Sequence, residues 1–161
     1  MNRKKIFVSY HNVPKQVNVA FTADDLKKED VVSLIRAHKQ ELAQINLVAT
    51  ENTGNMIQSK ADLPVTLLNS GLQGGYQQIG ALAADGQITA IIFLRDPATA
   101  RPLEPDITAL MQICDVHNVP IATNPATGEA VLHLVFEHPE AIAGHHIIAQ
   151  YLEDIAAVHE P

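Results

Sequence analysis

Glycine, hydroxyl and amide side chains crowd into the stretch Ser70-Gly71-Leu72-Gln73-Gly74-Gly75-Tyr76-Gln77-Gln78-Ile79-Gly80. It follows a short apolar run at 65–68 and leads into a helical pattern over 77–85. Glycines at a strand-to-helix turn let the backbone approach a ligand closely, and the unpaired amides at a helix start favour an anion. The chemistry implied is capture of a phosphate or a carboxylate; a purely structural turn that needs glycine for positive φ carries the same pattern. Other polar groups stand in the same relation to apolar runs: Thr50-Glu51-Asn52-Thr53-Gly54 after 46–49, and Arg95-Asp96 after 89–94.

These groups need a scaffold, and the whole chain bounds its kind. A chain of 161 residues makes one α/β-sized domain with a core that needs no covalent staples. A net charge of −7, with no Lys/Arg run longer than Arg3-Lys4-Lys5, argues against a nucleic-acid partner. One cysteine, Cys114, excludes an internal disulfide framework and fits a reducing compartment. The charged N-terminus passes directly into an expected strand, and no apolar stretch approaches the roughly 20 residues of a membrane span. A cytoplasmic protein without a membrane partner is expected.

Strands are expected at 5–10, 46–50, 64–68, 89–94 and 119–123. Segment 12–23 contains Pro14, has no helical period and reads as an inserted loop. A helix capped by Asp24 or Asp25 runs to about residue 42, with Val31, Leu34, Ile35, His38 and Leu42 at helical spacing. Further helices are expected over 51–61, 77–85, 105–117 and 124–135. The fold class is α/β: a single-domain three-layer sandwich over 1–135, with a mainly parallel five-stranded central sheet covered on both faces. Segment 136–161 is expected to form an amphipathic C-terminal helix, packed on the same domain or on a neighbouring subunit. Ligands of such sheets sit outside the carboxyl ends of the strands. That rule gathers His11, 50–54, 69–75, 95–96 and 123–124 around one pocket. His133, His138, His145, His146 and His159 match no structural zinc spacing, so no metal is expected.

The residues resemble the methylglyoxal synthase family along nearly all of 5–135. The resemblance rests on Ala49-Thr50-x-x-Thr53-Gly54-Asn55, on Ser70-Gly71-x-x-Gly74-Gly75-x-Gln77-Gln78-Ile79-Gly80-Ala81 and on Ile91-Ile92-Phe93-Leu94-Arg95-Asp96-Pro97. Glu104-Pro105-Asp106, Ala109-Leu110, Cys114-Asp115-Val116 and Pro120-Ile121-Ala122-Thr123-Asn124 follow in the family's order. The family removes a proton from dihydroxyacetone phosphate and expels phosphate from the enediolate, leaving methylglyoxal without a metal or other cofactor. The resemblance implies a small phosphorylated metabolite as ligand, held by Lys28, Thr50, Asn52, Thr53, Ser70 and Gly71. Lys15 competes with Lys28 for the phosphate lysine. His11 corresponds to the family's histidine at the end of strand one, with Asn12 where an aspartate is usual. Asp106 is retained as a catalytic aspartate. A homo-oligomer, hexameric by resemblance, is implied as well.

Departures from the family's pattern fall on the reacting groups. Tyr76 replaces the aspartate that serves as base, and a phenol with a reference pKa of about 10 is a poor base at neutral pH. Leu103 replaces an active-site histidine and cannot donate to an enolate oxygen. Glu51 and Asn52 edit the phosphate turn, and a carboxylate near a phosphate is repulsive. These changes imply that synthase activity is absent or much reduced, leaving a phosphorylated-metabolite sensor or a partner-binding module. The competing reading is an active synthase, a carbon–oxygen lyase, that uses a retained carboxylate such as Asp106.

Overall fold

The computed structural model describes residues 17–99 and 104–142. Five strands form one wholly parallel sheet: β1 (Asn18–Ala23), β2 (Asn46–Thr50), β3 (Thr66–Leu68), β4 (Ala90–Leu94) and β5 (Ile121–Ala122), in the order β3-β2-β1-β4-β5. The helices are α1 (Lys28–Ala37), α2 (Lys39–Leu42), α3 (Glu51–Ala61), α4 (Gly75–Ala84), α5 (Glu104–His117) and α6 (Pro125–Glu137).

Strand periodicity divides the core into two layers. Val19, Phe21, Leu47, Ala49, Ile92 and Leu94 pack with α1, α3 and α6 on one face of the sheet. Ala20, Val48, Ile91 and Phe93, one register position away, pack with Ile79 and Ala83 of α4 and Ile107 and Leu110 of α5 on the other. All five residues of β4 are buried, as a strand covered on both faces requires.

The first strand differs from expectation. It lies at Asn18–Ala23, inside the segment read as an inserted loop, and it is central, pairing with both β2 and β4. Val19 and Phe21 alternate with Ala20 and Thr22 across the pleat, a period that the nearby Pro14 and the polar Asn18 and Thr22 obscure in the sequence. Residues 5–10, expected as the first strand, lie outside the described residues. The helix expected to run unbroken to residue 42 is divided at His38, whose ring meets Glu129 of α6 at 2.5 Å and packs on Phe136. β3 and β5 are shorter than expected, because Pro64 and Pro120 offer no N–H to a ladder. Pro139–Ala141 forms a 3-10 turn where the tail helix was expected to begin, and residues 143–161 lie outside the described residues. Among the described residues no helix is long and apolar enough to cross a membrane.

Two features of this packing have measurable consequences. A Cβ on Gly75 would stand 2.2 Å from the carbonyl oxygen of Asn69 and 2.9 Å from that of Ser70, backbone atoms that cannot step aside. Gly75→Ala is expected to cost about 1–3 kcal/mol, read as a lower urea midpoint. Cys114 is buried on α5, and that burial, reinforced by the neighbouring Asp115 charge, pushes its thiol from an ordinary 9.0 to about 11. The folded state therefore holds this proton more tightly than the unfolded chain. Its contribution to stability is whole below about pH 9 and is lost as the pH rises towards about 11. Urea midpoints across that window should fall in the natural protein more steeply than in Cys114→Ala.

Candidate functional site

The strand order reverses direction between β1 and β4, and a pocket opens beside that switch point, at the carboxyl ends of the strands. It has a volume of about 510 Å³. Its walls come from the turns after β1, β2, β3 and β4, with Ile107 of α5 closing one side.

Lys28, Thr50, Asn52, Thr53, Ser70, Gly71 and Tyr76 all line this one pocket. Of the two lysines that competed for the phosphate role, Lys28 is at the pocket and Lys15 lies outside the described residues. His11 lies outside them too; the end of β1 is Ala23, followed by Asp24 and Asp25. Asp106 sits half-buried in the first turn of α5 and is not among the lining residues, although its neighbour Ile107 is. Glu51 is exposed at the first position of α3 and does not line the pocket. Its charge is suited to the positive end of that helix. Thr123 and Asn124 are not lining residues either; the Asn124 side chain instead accepts the Thr127 N–H at 3.0 Å and caps α6.

Lys28 supplies the positive charge. It is the first residue of α1, where the helix dipole disfavours a cation, and only 14 % of its side chain is exposed. Its ammonium group pairs with Asp25, which is itself almost fully exposed. An anion in the pocket would meet a desolvated charge that a solvated carboxylate neutralises only weakly. Beside it runs a buried row of hydroxyls. Thr22 and Thr50 share a hydrogen bond of 2.9 Å between β1 and β2, and the Thr50 hydroxyl lies 3.5 Å from that of Thr53.

The glycine turn is held by its own backbone. Ser70 accepts the N–H groups of Gln73 and Gly75 at 3.0 and 2.9 Å, and Gly74 takes a left-handed φ of 94° that a side chain would resist. Asn69 pins the turn from both ends, donating its side chain to the Gln73 carbonyl and its N–H to Gln78. Tyr76 is the second residue of α4. Its ring packs on Phe93 at 5.4 Å between centroids, and its hydroxyl end lies over Gly71. A Cβ at Gly71 would stand 2.9 Å from the ring, so the glycine gives Tyr76 its place.

Sequence reasoning missed Asp24 and Thr22. The sequence offers Asp24 or Asp25 as the helix cap, but the Asp24 side chain makes no capping bond. Instead its Oδ2 accepts the Asp96 N–H at 2.6 Å, across the switch point, while its own N–H donates to the Leu94 carbonyl at 3.1 Å. Asp96 is buried; its two carboxylate oxygens accept the Ala98 N–H and the Thr99 hydroxyl. The available signal was an aspartate standing directly after a period-2 run, and it goes unread when that run is taken as a loop.

One family model, the MGS-like domain, matches residues 30–123. Methylglyoxal synthase from Cupriavidus metallidurans is 49 % identical over 129 residues, 78 % of this chain and 92 % of that protein. Methylglyoxal synthase from Moorella thermoacetica is 49 % identical over 123 residues, 76 % of this chain and 96 % of that protein. The crystal structure of methylglyoxal synthase from Elizabethkingia anophelis aligns with a TM-score of 0.69 at 37 % identity, covering 74 % of this chain and 78 % of that one.

Replacing Lys28 by Met should lower the affinity for inorganic phosphate about 10- to 100-fold in a calorimetric titration. That is the range for loss of one hydrogen bond to a charged group, about 1.5–3 kcal/mol.

Proposed function

The chain belongs to the methylglyoxal synthase family, and on that premise we propose that its pocket binds a triose phosphate and that it converts dihydroxyacetone phosphate to methylglyoxal and phosphate. The observation that carries this reading is the convergence of Lys28, Thr50, Thr53 and Ser70 on one pocket at the switch point. These groups can hold a phosphate monoester and can stabilise the phosphate as it leaves. Relatives named methylglyoxal synthase at 49 % identity support the same chemistry.

The reaction needs a base, and Tyr76 is ill suited to be one. Asp24 is the carboxylate at the pocket whose position suits that task. It lines the pocket at the end of β1, and the Asp96 N–H, donating to its Oδ2 at 2.6 Å, orients the group. In this reading Asp24 takes the proton from the carbon acid, and the Tyr76 hydroxyl donates to the developing enolate oxygen. The carbon–oxygen bond to phosphate then breaks as the enediol hydroxyl gives its proton to the departing phosphate, which is released into the cradle of Lys28 and the hydroxyls; the enolate left behind takes a proton at its methylene carbon to become methylglyoxal, and Asp24 returns to its carboxylate form.

A second reading, a phosphorylated-metabolite sensor without turnover, is favoured by one feature: the bulky Tyr76 ring is fixed over Gly71, in the wall of the cradle. Release of methylglyoxal and phosphate from dihydroxyacetone phosphate separates the two. The natural protein should turn the substrate over, and Asp24→Asn should lower kcat by about 10²–10⁴, the usual worth of a positioned general base. A loss of that size in Asp106→Asn instead moves the base to α5. If the natural protein binds the substrate without releasing products, and Tyr76→Asp combined with Leu103→His restores release, the sensor reading replaces the synthase.

A further inference from the structure

The pocket is larger and more apolar at its rim than a triose phosphate requires. Leu26, in the turn after β1, is 77 % exposed, and Leu72, in the turn after β3, is 79 % exposed; both line the pocket. Two large aliphatic side chains left in water at the mouth of one cavity are unusual, since each forgoes roughly 1.5–3 kcal/mol of burial. Their places in the fold are related. β1 and β3 flank β2 in the sheet, so the two leucine turns stand on either side of the Thr50–Thr53 turn, about two strand spacings or roughly 10 Å apart. That separation admits a flat ring or a branched chain between them. Tyr76, Ile107 and Ala23 supply the remaining apolar lining. A volume of about 510 Å³ lies within the range of roughly 300–1,000 Å³ for sites that enclose ligands much larger than a three-carbon phosphate.

We infer that the pocket takes a phosphate monoester whose organic part is apolar and ring-sized. Its phosphate would sit on Lys28 and the hydroxyl row, and its organic part between Leu26 and Leu72 against Tyr76. The inference rests on the proposal that this pocket is a phosphate site, and it widens the ligand class beyond a triose phosphate. It also gives the two leucines, which touch nothing that would cover them among the described residues, a common task at the cradle's edge.

Phenyl phosphate is the probe, titrated calorimetrically into the full chain beside inorganic phosphate and glycerol 3-phosphate, a three-carbon phosphate that lacks the carbonyl the reaction needs. Phenyl phosphate should bind at least 10-fold more tightly than either. The exposed-site double variant Leu26→Ser, Leu72→Ser should erase that preference, and its affinity for inorganic phosphate reads the cradle separately. Equal affinities for phenyl and inorganic phosphate, or a preference that survives in the double variant, overturn the inference and leave the phosphate pocket standing. Binding of none of the three compounds overturns both. Sedimentation of the two proteins covers the remaining occupant: a dimer dissolved by the leucine substitutions, with phenyl phosphate affinity unchanged, assigns the leucines to a second copy of the chain and likewise overturns the inference.

Discussion

All five strands of the sheet run the same way, and the site depends on that constraint. Parallel strands bring every carboxyl end to one edge, and the turns that leave those ends carry the polar residues. The chain runs outward through β1, β2 and β3, then returns to the other side of β1 for β4, so the turns after β1 and β4 diverge and leave a crevice. Hydrogen bonds span it, from the Asp96 N–H to the Asp24 carboxylate at 2.6 Å and from the Asp24 N–H to the Leu94 carbonyl at 3.1 Å. Burying Asp96 would cost several kcal/mol without partners; Ala98 and Thr99 supply them, and the Asp96 backbone in turn fixes Asp24. Two carboxylates from distant parts of the chain thereby become one unit at the pocket's edge.

The core on either face is what makes so polar an edge tolerable. Phe21, Ile92 and Leu94 on one side and Ile91 and Phe93 on the other are wholly buried, and they hold the strand ends in register. The site's own groups are consequently rigid: the Thr22–Thr50 hydrogen bond joins two strands rather than two loops, and the Tyr76 ring is clamped between Phe93 and Gly71. Preorganised donors of this kind lose little freedom when a ligand arrives. Lys28 is positioned with similar economy, because β1 ends only a few residues before α1 begins and the lysine is the helix's first residue.

Tyr76 is the residue on which the two functional readings divide. Its packing explains how the chain accommodates an aromatic ring at the glycine turn, since Gly71 leaves the space and Phe93 supplies a surface. The same packing keeps the ring from being a mobile acid or base. Catalysis, in the synthase reading, then falls to a carboxylate elsewhere at the pocket, and Asp24 gains its importance from this.

Much of this was legible along the chain because it is local. The apolar run 90–94 announces a doubly covered strand, Gly74 and Gly75 announce a turn that takes a left-handed φ at the first and admits no Cβ at the second, and Thr50, Thr53 and Ser70 stand at or just after strand ends, whereas Lys28 came from the family resemblance. What stayed hidden needed contacts between residues far apart in sequence. β1 escaped because its evidence is pairing with β2 and β4, 28 and about 71 positions away, rather than a strong run of its own. With β1 unrecognised, His11 stood in for the strand's end and Asp24 was reduced to a helix cap, although its partner is the N–H of Asp96, 72 residues on. Spacing along the chain determined which residue types the turns would carry. Only the folding of β1 between β2 and β4 decided which turns face each other, because strand order is set by burial on both faces of the sheet and not by any one segment's composition.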